Sequence, residues 1–208
     1  MNAGRRPWIQ APRLAPLWGA ATGAVGGALY WAGSLIWPSS VAVVLAMLAT
    51  TLLGARTAAD ARAEAFGAVG GVGSLGFVFA VLIKYNVLMA LSAANLPFAL
   101  PANLALGFIM IAGHASSRAL AATASPPSSP GASISHADLV IALLLGFAPA
   151  ALLGIPGLIG LAAAIAARIG LAAYLRRRRA SSPPLVETTG FLTEVCFYLG
   201  ALAAWAYV

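Results

Sequence analysis

Charge is the scarcest commodity in this 208-residue chain. It has five acidic residues, eleven arginines, a single lysine and two histidines, with 8% of positions charged. An average soluble domain has roughly 25%, so a surface solvated by interspersed charges is excluded. Cysteine is almost missing. Cys196 alone leaves no internal disulfide and no cluster of thiolates for a metal. Alternation of apolar and polar residues is missing as well, which argues against a transmembrane β-barrel. The net charge of +7 is carried by too few residues to read as a nucleic-acid surface; where the charges fall matters more than their sum.

What the chain does have is apolar length. Apolar residues make up 61% of it and the mean hydropathy is +0.92. The runs approach the roughly 20 residues that a helix needs to cross a bilayer. They predict an all-α, polytopic transmembrane helical bundle of about seven spans in one integral membrane domain, 1–208. The expected spans are 17–36, 41–55, 66–94, 102–122, 139–154, 157–175 and 191–208. The opening MNAGRRPWIQAPRLAPLWGA starts basic, as a leader does, but Pro12 and Pro16 interrupt it and the apolar run continues to Trp37, so it reads as a retained span. WPSS, NLPFALP and GIPG mark turns, GIPG folding the long run 139–175 into a hairpin. SPPSSPGASISH is too polar and proline-rich to pack and reads as a loop.

On this map every arginine falls on one side: Arg5, Arg6 and Arg13 before the first span, Arg56 and Arg62 after the second, Arg118 near the end of the fourth, and Arg168 and Arg176 to Arg179 near the end of the sixth. The opposite loops contain no charge. Lys and Arg excess in short loops marks the cytoplasmic side, so the amino terminus is expected there, in a multi-pass protein of the cell inner membrane. Asp60, Glu64, Asp138, Glu187 and Glu194 follow the same partition at the starts or ends of spans.

One cation breaks it. Lys84 lies in the middle of VFAVLIKYNVLMA, where an ammonium costs about 2.5 kcal/mol or more near a bilayer midplane. Either its stem snorkels to a headgroup region, or it is a buried counter-charge to an Asp, a Glu or a substrate phosphate. Asn86 and Asn95 are candidates for the same cavity. Arg118 follows His114 by one helical turn in HASSR; it either sets topology or grips phosphate with its guanidinium fork. Asp60 and Glu64, four apart, can share a helix face and hold one ion, or be balanced by Arg56 and Arg62 as a solvated segment. The glycines of GAVGGVGSLG, Gly73 and Gly76 among them, permit close helix packing or admit a phosphate to backbone N–H groups.

Several stretches, in order, resemble one family. APLWGAATGAVGGAL is similar to the opening span of cobalamin synthases, the adenosylcobinamide-GDP ribazoletransferases, with their Pro-Leu-x-Gly turn. GSLGFVFAVLIKYNVLMAL resembles their Gly-Thr-x-Gly element and the lysine-bearing helix after it. GHASSRALAA and ETTGFLTEVCFYLGALAAW look like their arginine-bearing small-residue helix and their terminal Thr-Gly-Asp loop and last helix. The resemblance implies a transferase that joins α-ribazole, or its 5′-phosphate, to the corrinoid of adenosylcobinamide-GDP and releases GMP, with Mg²⁺ as cofactor. It implies Asp60 and Glu64 as metal ligands, Asp60 and Lys84 in catalysis, and Arg118, Lys84, Gly73 and Gly76 on the substrate. Its partners would be the bilayer and other corrinoid-assembly enzymes.

The chain departs from that pattern in its acids. The family's Asp-Gly-x-x-Asp-x-x-Asp-Gly signature shrinks here to Asp60 and Glu64, and the terminal Thr-Gly-Asp is Thr189, Gly190, Phe191. Two alternatives therefore stand beside the enzyme: a catalytically reduced membrane scaffold or corrinoid-binding accessory protein, and a small transporter with Lys84 in its path.

Overall fold

The computed structural model describes residues 12–55, 73–94, 101–124, 135–178 and 185–205. These residues are helical nearly throughout. After a 3₁₀ turn, Pro12–Leu14, come seven α-helices: α1 Ala15–Ser34, α2 Ser39–Ala55, α3 Gly73–Ala93, α4 Ala102–Ala122, α5 His136–Leu152, α6 Ile155–Arg178 and α7 Leu185–Trp205. Three stretches, Leu75–Ala93, Leu104–Ala122 and Ile155–Tyr174, are long and apolar enough to cross a membrane; Ser39–Leu53 and His136–Leu152 are apolar but shorter. Asp60 and Glu64 lie outside the described residues.

The helices alternate in direction, as their contacts show. Gly19 of α1 packs at His114 and Arg118 of α4, while Gly27 packs at Gly107, so α1 and α4 are antiparallel. Phe77 meets Phe191 and Lys84 meets Glu194, so α3 and α7 run the same way. Arg13 reaches Asp138 at 3.8 Å, bringing the starts of α1 and α5 to one end of the bundle. At that same end Arg168 of α6 donates through Nε to Thr123 Oγ1 at 3.2 Å and through Nη2 to its carbonyl at 3.1 Å, just past the end of α4.

Small residues set how closely the helices approach. A methyl group on Gly23 would stand 2.5 Å from the Met110 carbonyl oxygen and 2.6 Å from the Ile111 Cα, so α1 lies directly on the α4 backbone. Such contact is the usual basis of helix association in lipid, where apolar burial alone gives little preference. α4 is the hub, with Leu106, Ile109, Met110, Ala112, Ala115 and Ala119 fully buried. Large apolar side chains point outward instead, among them Leu17, Trp31, Leu52, Phe79, Leu144 and Ile169. A surface of this kind is unfavourable in water and ordinary against hydrocarbon.

Between α5 and α6 the GIPG hairpin turns on Gly154, whose φ of 68° is the left-handed conformation that glycine adopts without steric cost. Pro156 then falls in the first turn of α6, where its missing N–H has no helical partner to lose. At the other end of the chain, α7 starts at Leu185, six residues ahead of the span expected from hydropathy. The polar letters of ETTGFLTE do not mark a boundary, because the side chains of Thr188, Thr189, Thr193 and Glu194 face inward and are buried. Thr193 satisfies itself locally, donating to the Thr189 carbonyl at 2.7 Å. Glu194 is consequently moved from a helix start to the middle of α7.

Candidate functional site

Three helices bring ionisable groups to one buried point. Lys84 on α3 places its Nζ 2.5 Å from Glu194 Oε1 on α7, and His114 on α4 places Nε2 3.4 Å from the same oxygen. Tyr198, one turn beyond Glu194, has its hydroxyl beside that carboxylate and its ring against Gly113. The Lys84 and Glu194 side chains are 5% and 8% exposed, so the pair is removed from solvent and its salt.

The local sequence explains the assembly. Gly113 has no side chain, and an added methyl would lie 2.5 Å from the Tyr198 ring, so glycine there admits Tyr198 to the α4 surface. His114 and Glu194 are then brought level. The Lys84 ammonium also lies 6.0 Å from the ring centroids of Phe191 and of Tyr198, within range of a cation–π attraction. Ser116 and Ser117 spend their hydroxyl protons on backbone, on the Gly146 carbonyl at 3.1 Å and the His114 carbonyl at 3.0 Å.

The depth of the cluster decides between the two readings of Lys84. It stands eleven residues from Gly73 and nine from Ala93, or about 16 and 14 Å from the helix ends at 1.5 Å per residue. With its Nζ held on a carboxylate at that depth, Lys84 is a buried counter-charge and not a snorkelling residue. Ionisable residues in membrane helices characteristically face the bundle interior and pair in this manner.

The other candidates are spread more widely. Arg118 is half-buried on α4 one turn beyond His114, with its Cγ over Gly19 of α1. Gly73 begins α3, and Gly76 is exposed two turns before Lys84. Asn86 donates to the Leu82 carbonyl on its own helix at 2.8 Å and does not join the cluster. Asn95, Asp60 and Glu64 lie outside the described residues. Among the described residues no three His, Cys, Asp or Glu side chains gather as a metal site. Glu194, already neutralised by an ammonium, is poorly suited to bind a divalent cation.

Sequence reasoning did not anticipate Tyr198 or the meeting of His114 with Glu194. A signal was present, since Glu194 is followed by the apolar VCFYLGALAAW and needs a cation as much as Lys84 needs an acid. No protein-family model, no curated protein and no solved structure matches the chain.

Proposed function

We propose that the chain is an integral membrane enzyme of the cobalamin synthase type, with seven spans and a cytoplasmic amino terminus in the cell inner membrane. One observation carries the reading. The stretches that resemble that family are far apart in sequence yet pack on one another: APLWGAATGAVGGAL in α1 lies on the GHASSR segment of α4, which meets the TEVCFYLG segment of α7, where Glu194 also holds Lys84 of α3.

In the proposed reaction a ribazole hydroxyl attacks the corrinoid-linked phosphorus of adenosylcobinamide-GDP. The new P–O bond replaces the bond to GMP, which leaves, and the hydroxyl proton passes to a base. Mg²⁺ would be held by Asp60 and Glu64 and would offset charge on the phosphoryl oxygens. Arg118 is the cation best suited to the donor phosphates, because it is half-buried and lies on the side of His114 toward the charged end of the bundle. Lys84, engaged by Glu194, supports the site from within.

A second reading, a small transporter, is favoured by the depth of the Lys84, His114 and Glu194 cluster, since intramembrane charges mark substrate and ion paths. Complementation separates the two. The chain is expected to restore corrinoid completion in a strain lacking cobalamin synthase and to fail as Asp60→Ala. Failure of the native chain, with uptake of a corrinoid precursor by proteoliposomes, would favour the transporter; binding without turnover would favour the scaffold.

A further inference from the structure

α3 turns much of its apolar surface away from the bundle. Leu75, Val78, Phe79, Leu82 and Ile83 all face outward, and its buried leucines and valine, Val87, Leu88 and Leu91, lie toward one end. Hydrocarbon is as apolar as leucine, so burial of these residues does little to choose a register in a bilayer. Two contacts with α7 do depend on register, Phe77 on Phe191, with ring centroids 5.5 Å apart, and Lys84 on Glu194.

Glu194 serves two helices with one atom. Lys84 from α3 pairs with its Oε1 and His114 from α4 lies 3.4 Å from the same atom, so displacing α3 by one turn would strand an ammonium and a carboxylate in the interior. Buried polar pairs are best attested as setters of register. We infer that Glu194 is a positioning residue that fixes the register of α3 against α4 and α7 through its shared oxygen. Its bearing on catalysis, through the segment 56–72 that leads into α3 and carries Asp60 and Glu64, rests on the proposed function; the register itself does not.

The test reads position and not activity. In a Cys196→Ser background, Phe191→Cys is combined with Phe77→Cys or, one turn along α3, with Val81→Cys, and bridging by a short bis-thiol reagent is timed in native membranes. The 77/191 pair should bridge faster than 81/191. With Lys84→Met/Glu194→Gln, which removes both charges of the pair, the preference should shrink about fivefold or more, the factor that ~1 kcal/mol of lost coupling gives. Lys84→Arg, which keeps the Glu194 carboxylate between α3 and α4, should restore it, and Glu194→Asp serves the same purpose if that variant does not fold. An undiminished preference in the neutral variant, or no recovery in a folded charged one, overturns the inference. Complementation failing while the preference behaves as stated would overturn the enzyme alone.

Discussion

Removing one member of the Lys84 and Glu194 pair should cost far more than removing both. Glu194→Gln leaves the ammonium at mid-height with no carboxylate, and stranding one partner of a buried pair typically costs about 3–5 kcal/mol. Lys84→Met should cost less, because His114 at 3.4 Å and the adjacent Tyr198 hydroxyl remain beside the Glu194 carboxylate. The double variant Lys84→Met/Glu194→Gln should fall within about 1 kcal/mol of the native chain, since desolvating the two charges offsets most of their attraction. The cycle thus predicts a coupling of roughly 3 kcal/mol. With side chains only 5% and 8% exposed, it should not change between low and high salt. Reversible unfolding in mixed micelles measures all four forms. Single variants costing under about 1 kcal/mol, or summing to the double, would refute the buried-pair reasoning.

Three further outcomes follow from the packing and the charge map. Gly23→Ala should separate α1 from α4 and lower stability by about 1–3 kcal/mol, whereas Gly170→Ala, with no atom within 4 Å of the added methyl, should be neutral or slightly stabilising; melting in detergent compares them. Gly154→Ala should cost about 1–2 kcal/mol through its φ of 68° alone, with no steric contact to blame. Cysteine labelling in intact cells and inverted vesicles should place the tetra-arginine segment 176–179 and the Asp60 segment on one leaflet; labelling from opposite sides would contradict seven spans.

Helix was legible from composition, because apolar runs of this length without alternation leave the backbone no other way to satisfy itself in hydrocarbon. The hairpin at 154–157 was equally legible, since a glycine followed by proline ends one helix and starts the next. The start of α7 was not. Hydropathy treats threonine and glutamate as markers of water, while here Thr193 bonds to its own helix and Glu194 to a lysine more than half the chain away. Lys84 announced that it needed a partner, but choosing Glu194 over Asp60 or a phosphate required knowing that α3 and α7 lie side by side. His114 looked solitary in sequence because its neighbour in space is on another helix.

The most direct test of the enzyme reading is GMP release by the purified chain in lipid nanodiscs supplied with adenosylcobinamide-GDP, α-ribazole and Mg²⁺. GMP should appear in step with the joined corrinoid, depend on both substrates and be lost in Asp60→Ala. Folded protein that releases no GMP with both substrates present would contradict it.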